Sequence, residues 1–257
     1  MTRSSRAIAA SAVLFVYACG GETPPTTPTT GDYFPVASGS RWTYTETRPE
    51  GGPVTLEKEI SACESVTFAD CETGEPRTFE ASRHESIGSN DPEENGISYL
   101  VGSDDGILRV LQDMFDNCDT GTCDLEFQQR YSPGFLRFPS GDLGAGRSIG
   151  ATHTRCEIDC HAAEGACEER GAAHAEAMTI EEKRYDWTID LVEDVSVPAG
   201  EFTALRMTRV NGDTGETKRY WFAQDVGKVL EQEVDGETVR REEKLESYEI
   251  GTTTCGS

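Results

Sequence analysis

The chain has 257 residues, 36% of them hydrophobic, and its 47 acidic against 23 basic residues give a formal net charge of −24. This length allows one large β domain or two small ones, and 3 Trp, 8 Tyr and 10 Phe supply bulky apolar material for one core. A strongly acidic surface argues against nucleic acid and against electrostatic docking on anionic lipid headgroups, because both select patches of Lys and Arg. We expect most of these charged side chains to lie on a solvated surface that keeps the protein soluble.

The first 18 residues have the pattern of a secretory signal peptide. Arg3 and Arg6 precede the 11 apolar residues of 7–17 (AIAASAVLFVY), and the small Ala18 follows. A helix of that length rises about 16 Å, roughly half of a ~30 Å hydrocarbon core. The segment is therefore too short to persist as a transmembrane anchor, and no later segment approaches 18 apolar residues.

The sequence VYACG at 16–20 resembles the lipobox of bacterial lipoproteins, in which the cysteine is lipidated and becomes the mature N-terminus. Tyr17 departs from the small or aliphatic residue usual at its position. The resemblance implies palmitate-type acylation of Cys19, which would make the lipid bilayer a partner of the protein. The alternative is an ordinary signal peptide that leaves Cys19 as a thiol or disulfide partner. Gly20, in place of Asp, resembles the outer-membrane lipoproteins of Gram-negative bacteria.

Residues 19–32 are predicted to combine this lipidated cysteine with a linker. The 13 residues from Gly20 to Asp32 are rich in Thr and Pro, and prolines favour extended polyproline II. At ~3.1 Å per residue the linker reaches up to about 40 Å. We expect it to hold a β domain, residues 33–257, clear of the membrane.

Without Cys19, the number of cysteines is even, as a disulfide-bonded exported protein requires. The eight disulfide candidates are Cys63, Cys71, Cys118, Cys123, Cys156, Cys160, Cys167 and Cys255. Spacing suggests Cys63 with Cys71 and Cys118 with Cys123, each across a short polar loop. The last four could pair as Cys160–Cys167 and Cys156–Cys255, although connectivity cannot be derived from sequence.

A cysteine-rich insert near 156–174 also suggests zinc as an alternative. Six Cys and His residues lie within the 22 residues that begin just before this insert: His153, Cys156, Cys160, His161, Cys167 and His174. Cys/His clusters can bind zinc, but the C-x3-C-x6-C spacing differs from the paired C-x2-C knuckles of structural sites. An oxidising compartment favours disulfides, so we predict disulfides here and no metal.

From residue 32 onward the hydrophobic pattern has a period of two, which is typical of half-buried strands. Alternation predicts strands around 42–45 and 185–191, and a hairpin in which 97–101 and 107–111 flank SDDG at 103–106. Turn signals at 49–52, 198–201, 211–215 and 235–236 delimit further strands at 203–210, 216–223, 228–234 and 237–250. Residues 162–178 are expected to be a loop or short helix between strands. The fold class is therefore mainly β, a single strongly curved antiparallel sheet (half-barrel or barrel-like) with a cysteine-rich inserted loop.

Two blocks refine this prediction through a resemblance. DYFPVASGSRWTYTET at 32–47 opens the domain, and VPAGEFTALRMTRV at 197–210 precedes YWFAQDVGKVLEQ at 220–232. In this order they resemble a broad group of bacterial lipoproteins and secreted proteins of unknown function. YSPGFLRFPSGDLGAGRSIGATHT at 131–154 echoes the opening block without its Trp. The resemblance implies a half-barrel similar to that of periplasmic lipoprotein carriers, and the cysteine-rich insert is not part of the pattern.

These blocks also have a physical interpretation as structure. Gly39 and Gly200 suit turns with positive φ, and Pro35 and Pro198 suit the start or edge of a strand. The large core residues are predicted to be Trp42, Phe202 and Trp221 or Phe222.

No nucleophile elbow, zinc helix, P-loop or dinucleotide fingerprint is present, so we predict no catalytic residue and no cofactor. Acidic clusters at 90–95, 103–105 and 116–124 suggest calcium, but none matches a calcium-loop pattern. We expect a non-enzymatic, lipid-anchored cell-envelope protein that binds an unknown ligand or envelope protein through its curved sheet. The alternatives are a purely structural or interaction module and, less favoured, a calcium-binding surface protein or a hydrolase.

Overall fold

The structure, a computed structural model, describes residues 33–88, 95–116, 124–160, 167 and 178–254. They form fourteen strands: β1 Ala37–Ser38, β2 Arg41–Thr47, β3 Val54–Ala69, β4 Pro76–Ile87, β5 Gly96–Ser103, β6 Gly106–Asp116, β7 Asp124–Pro139, β8 Ser148–Asp159, β9 Met178–Val197, β10 Gly200–Asn211, β11 Thr217–Ala223, β12 Gly227–Asp235, β13 Thr238–Glu249 and β14 Thr253–Thr254. In these ranges no helix is both long enough and apolar enough to cross a bilayer.

Strands β2 to β13 form a closed antiparallel barrel in which each strand pairs with its neighbours in sequence. The ring closes where β13 pairs with β2, placing Leu245 opposite Tyr44. Short turns suffice for this topology because antiparallel neighbours can be joined by hairpins. The prediction of a mainly β, strongly curved antiparallel sheet is confirmed.

The half-barrel form of that prediction is wrong, because the sheet has no free edge between β13 and β2. Alternation predicts which residues form strands and which face each side chain takes. Whether the first and last strands meet depends instead on the accumulated twist and tilt of all the strands between them. Local patterning carries no such information.

The strands predicted from turn signals are confirmed in the second half of the barrel. β10 to β13 lie within three residues of the expected boundaries. The predicted turns contain glycines with positive φ, among them Gly200 at 139° and Gly39 at 88°, a conformation that side chains with a Cβ disfavour. The SDDG hairpin joins β5 to β6 as expected.

Residues 33–38 lie across one end of the barrel. The Phe34 ring is 6.0 Å from that of Phe138 and 6.0 Å from that of Phe222, and β1 pairs with β14 beside it. Trp42, predicted as core, is 6% exposed, and its Nε1 donates a hydrogen bond of 2.7 Å to the Val226 carbonyl. The opening block of the domain thus covers this end of the barrel.

The other predicted core residues are buried to different degrees. Trp221 and Phe222 are buried, whereas Phe202 is partly buried and packs against the core. Pro35 precedes β1, and Pro198 follows β9 in the turn before β10, as expected.

Disulfide connectivity differs in part from the prediction. Cys71 bonds to Cys156, and Cys160 bonds to Cys167 as anticipated. Cys63 is disulfide-bonded, but not to Cys71, since Cys63 lies within β3 and Cys71 follows its last residue. An extended strand rises about 3.3 Å per residue, which separates the two by far more than the ~7 Å that a disulfide tolerates.

The predicted pairing of Cys156 with Cys255 is also wrong, because Cys156 bonds to Cys71. The turn after β3 brings Cys71 beside β8, with 5.8 Å between the Cα atoms of Cys71 and Cys156. Cys19, Cys118, Cys123 and Cys255 lie outside the described residues, as does most of the cysteine-rich insert. The signal peptide, the linker and the Cys118–Cys123 pairing therefore stay predictions.

Candidate functional site

Two connected cavities occupy the interior of the barrel. The aromatic cavity has a volume of about 60 Å³ and is lined by Phe34, Pro35, Trp42, Tyr44, Lys58, Ile60, His84, Leu100, Arg109, Arg137, Trp187, Arg209, Tyr220, Phe222, Gly227 and Lys228. The basic cavity has a volume of about 200 Å³ and is lined by Arg109, Gln112, Met114, Gln129, Tyr131, Phe135, Arg137, His153, Arg155, Lys183, Tyr185, Arg209, Asn211, Glu216 and Lys218. Arg109, Arg137 and Arg209 line both and lie where they meet.

The barrel register places the basic cavity on one side of the lumen. His153 of β8 is opposite Lys183 of β9, and Arg209 of β10 is opposite Lys218 of β11. Directly opposed residues of neighbouring strands point to the same face of a sheet. Strand alternation therefore brings these side chains together, although they are far apart in sequence.

The basic cavity concentrates positive charge inside an acidic protein. Six of its lining residues are Arg or Lys, whereas its one lining carboxylate belongs to Glu216, which is exposed in the turn between β10 and β11. The exposure of Glu216 indicates that the cavity reaches solvent at the end of the barrel where this turn lies.

Among the described residues, carboxylates pair with Arg155, Lys183 and Lys218. Arg155 and Lys183 each lie 2.8 Å from Glu181 Oε2. Lys218 Nζ lies 3.5 Å from carboxylate oxygens of Glu216 and of Glu233. We call these three paired cations, which belong to β8, β9 and β11, the basic rim.

Arg209, deeper in the lumen, is in a different situation. It is 8% exposed, and four aromatic rings surround its guanidinium, with centroids 5.0 to 5.6 Å away: Phe135, Tyr185, Trp187 and Tyr220. Among the described residues it has neither a carboxylate partner nor a hydrogen-bond acceptor. Ring faces attract a cation, but they leave the N–H groups at the edge of the guanidinium without acceptors.

Arg109 extends the same pattern. It donates a short hydrogen bond through Nη1 to Gln112 Oε1, and its guanidinium lies 5.8 Å from the Phe135 ring centroid. Its Nε is buried with no hydrogen-bond partner, and no carboxylate of the described chain pairs with it. Arg109 and Arg209 thus present unneutralised charge where the two cavities meet.

His153 lies against these cations as a neutral ring. It is 3% exposed, and its Nδ1 has no hydrogen-bond partner. Burial, together with the nearby charges of Arg155 and Lys183, lowers the pKa of His153 to about 4. The imidazole stacks on Tyr185 at an interplanar angle of 4°.

The opposite side of the lumen carries a balanced ion network. Glu243 Oε2 lies 2.7 Å from Lys228 Nζ and 3.0 Å from Lys58 Nζ, and Glu231 Oε1 lies 3.0 Å from Arg241 Nη2. Burial alone would raise the pKa of Glu231, but Lys228 and Arg241 outweigh it and hold this pKa well below its ordinary value. Each buried acid here faces cations, as buried charges generally require.

Seven rings line the aromatic cavity together with basic side chains, and besides Arg109 Nε a tryptophan donor there is unpaired among the described residues. Trp187 is 1% exposed, and its Nε1 is buried with no hydrogen-bond partner. Trp187 and Tyr220 have ring centroids 5.5 Å apart. An apolar group entering this cavity would contact ring faces, with a donor available for an oxygen atom.

A cleft in the barrel wall lies between β7 and β8. These strands pair only over Phe127–Ser132 and Thr154–Asp159, and the next residue of β7 is Pro133, which has no N–H to donate. A cavity of about 330 Å³, lined by residues of both strands and of the loop between them, occupies the gap. The wall is therefore open where the β7–β8 ladder ends.

The residues of these cavities were predicted only in part. Trp42 and Phe222, expected as core, line the aromatic cavity. His153 was singled out as a zinc candidate, but Cys156, Cys160 and Cys167 from the same set form disulfides. Within the described ranges no three Cys, His or acidic side chains are grouped to hold a metal. The 90–95 and 116–124 clusters lie largely outside those ranges.

The lumenal arginines were missed. Each of them alternates with other residues along its strand, as inward-facing side chains do, but outward arginines show the same alternation. One signal for a lumenal position is that Arg209 lies on the same strand face as Met207 and Asn211. Separating a lumenal from a solvated arginine requires knowing which face closes on itself.

No family model matches the chain, and no curated protein matches it. A crystal structure from Bacteroides fragilis NCTC 9343, described as "a putative exported protein with YmcC-like fold", is 11% identical with a TM-score of 0.44, covering 84% of this chain and 98% of its own. A second, "a putative lipoprotein" from Parabacteroides distasonis ATCC 8503, is 12% identical with a TM-score of 0.38, covering 84% and 97%. At these values neither likeness carries an argument about function.

Proposed function

We propose that this protein is a non-enzymatic binding protein of the cell envelope, lipid-anchored through Cys19, whose barrel holds a small ligand in its lumen. The observation that carries the proposal is the pair of connected cavities inside the barrel, where side chains from many strands converge. Ligand sites in barrels are commonly built in this way, with apolar walls and a few placed polar groups.

The charge state of Glu231 argues against a role for this residue as a proton donor. A glycosidase-like hydrolase needs a carboxyl group whose pKa is raised so that it can donate a proton. Glu231 has its pKa held well below the ordinary value by Lys228 and Arg241, although burial opposes this. It is therefore an ionised structural partner at neutral pH.

The lipid anchor in this proposal rests on the sequence around Cys19. The lipobox-like VYACG places a cysteine at the end of the predicted signal, and a Thr- and Pro-rich segment that we propose as a linker follows it. Each buried methylene contributes about 0.8 kcal/mol to membrane binding. Several acyl chains on Cys19 would therefore hold the barrel on the bilayer, in our proposal the outer membrane of a Gram-negative bacterium.

The lumen is tested by uptake of N-phenyl-1-naphthylamine, a neutral apolar fluorophore, into the purified full-length protein. We expect saturable fluorescence, and extraction with mass spectrometry should detect a co-purifying small molecule. Leu100→Trp, which adds bulk to the aromatic cavity, should abolish uptake, whereas Ile180→Trp at a site 53% exposed should not. Absence of both uptake and a co-purifying molecule in the native protein would overturn lumenal binding.

The tether is tested independently by Cys19→Ser. We expect this variant to move from the membrane to the soluble fraction, and mass spectrometry of the native mature N-terminus to show an acylated Cys19. An unmodified Cys19 in the mature protein, or cleavage elsewhere, would contradict the anchor and leave lumenal binding unaffected.

A further inference from the structure

We propose that the basic cavity binds the acidic group of a small anionic amphiphile, a carboxylate or a phosphate monoester, whose short apolar part lies in the aromatic cavity. This inference rests on the proposed lumenal binding and adds the chemical class of the ligand. It locates the acidic group at Arg109 and Arg209, where the two cavities meet.

The basic cavity gathers positive charge in an otherwise acidic protein. The chain has a formal net charge of −24, yet six cations line one cavity together with a single, exposed carboxylate. Buried charges are costly unless they are paired. An acidic ligand would neutralise Arg109 and Arg209, for which the described residues supply no carboxylate.

Several polar side-chain atoms around the junction of the two cavities have no hydrogen-bond partner among the described residues. The guanidinium of Arg209 has no acceptor among the described residues, and Arg109 Nε and Trp187 Nε1 are buried without one. His153, which lines the basic cavity, is 3% exposed and also leaves Nδ1 unpartnered. Arginine forks match carboxylate and phosphate oxygens in geometry and charge.

Buried cations on the opposite side of the lumen do have carboxylate partners, so the lack of such partners in the described part of the chain is confined to the side of Arg109 and Arg209. There, Lys58 and Lys228 face Glu243 at 3.0 and 2.7 Å. Among the described residues, carboxylates pair with the buried cations on one side of the lumen, and none pairs with Arg109 or Arg209 on the other. The carboxylate or phosphate group of an acidic ligand would supply the negative charge that these two arginines lack there.

Arg109 and Arg209 lie between a polar surface and an aromatic surface. On one side they face glutamines, His153 and the basic rim. On the other side they face the rings of Trp42, Trp187 and Phe222. A ligand with its acidic group at Arg209 would therefore direct an attached chain or small ring toward aromatic side chains.

The head-group preference is tested in the native full-length protein with four six-carbon probes: hexanoate, hexyl phosphate, 1-hexanol and hexylamine. Binding is measured by calorimetry and by the fluorescence of the three tryptophans, two of which line the aromatic cavity. We expect at least one anion to bind more than tenfold tighter than 1-hexanol and hexylamine to bind weakest. The tighter of the two anions distinguishes a carboxylate from a phosphate source, and inorganic phosphate should compete with it.

The assignment to Arg209 is tested by Arg209→Met, which removes the charge and keeps an unbranched apolar side chain on the rings. Its control is Arg219→Met, the same change on β11, where strand alternation directs the side chain away from the lumen. We expect Arg209→Met to lower the ratio of anion affinity to 1-hexanol affinity at least tenfold, and the control to keep the native ratio.

The outcomes separate this inference from the proposed function. Equal binding of the anions and 1-hexanol by the native protein would overturn the anionic class and leave lumenal binding standing. Equal anion affinity in Arg209→Met, or no competition by inorganic phosphate, would overturn the assigned site. No binding of any probe and no N-phenyl-1-naphthylamine uptake would overturn both. The native head-group series decides the class even if Arg209→Met fails to fold.

Discussion

Arg209 and Glu231 are both buried charges in one lumen, but their surroundings differ in kind. Glu231 lies 3.0 Å from the Arg241 guanidinium and also pairs with Lys228. Arg209 has four aromatic rings around it and no carboxylate among the described residues. Buried ions are retained when they are paired, and an unpaired one is a candidate for function.

His153 provides a residue-scale prediction about pH. Its pKa is lowered to about 4 by burial and by Arg155 and Lys183, whereas an unfolded histidine has a pKa near 6.5. Between these values the unfolded state binds more protons, so stability falls as the pH drops from about 6.5 toward 4. The loss attributable to His153 is on the order of 2–3 kcal/mol.

The measurement is the free energy of unfolding in urea at pH 7 and at pH 4 for the native protein and for His153→Phe. The variant keeps a ring against Tyr185 but cannot titrate, so it should lose less stability on acidification. His84, whose pKa is also lowered by burial, is common to both proteins and cancels in the comparison. Identical pH dependence in the two proteins would contradict the assignment.

At the scale of elements, two disulfides of different reach join the strands. Cys71–Cys156 links the turn after β3 to β8 across a sequence separation of 85, whereas Cys160–Cys167 spans 7. In the chain-entropy model a crosslink stabilises more as its loop lengthens. The first bridge therefore restrains the ring, and the second closes a local loop.

This difference gives a prediction at the element scale. Replacing Cys71 and Cys156 by alanine should cost about 4–5 kcal/mol, whereas replacing Cys160 and Cys167 should cost about 2–3 kcal/mol. Urea unfolding of the two double variants measures both costs, and each serves as the other's control. A larger loss from the short bridge would show that loop length does not determine the effect here.

At the scale of the whole molecule, charge is divided between the inside and the outside of the barrel. Several of the 23 basic residues line the lumen, so the outer surface is more acidic than the net charge of −24 alone suggests. Like charges on a compact surface repel and destabilise the folded state. Salt shortens the range of this repulsion, from roughly 30 Å at 0.01 M to roughly 3 Å at 1 M.

We therefore expect the melting temperature to rise by several degrees between about 0.01 and 1 M sodium chloride, because screening relieves the repulsion. Differential scanning calorimetry measures the shift. Arg209→Met is the control, since relief of surface repulsion should persist without the lumenal arginine. A melting temperature that falls with salt would show that favourable ion pairs outweigh the surface repulsion.

Much of the strand content could be predicted because it depends on neighbouring residues. The alternation around Trp187 and the glycines in the turns fix strand positions and faces locally. The basic cavity could not be predicted in this way. Arg109 and Arg209 are 100 residues apart in sequence, and only closure of the ring brings them to one point.

The sequence by itself determined the class of structure and the positions of many strands, and it predicts an acidic surface and lipid attachment at Cys19, since each depends on composition or on residues close together in the chain. Tertiary structure alone decided the closure of the barrel, the pairing of Cys71 with Cys156 and the gathering of arginines in the lumen. Each of these joins residues whose distance in space depends on the combined twist and register of many strands. No short segment of the sequence determines that combined effect.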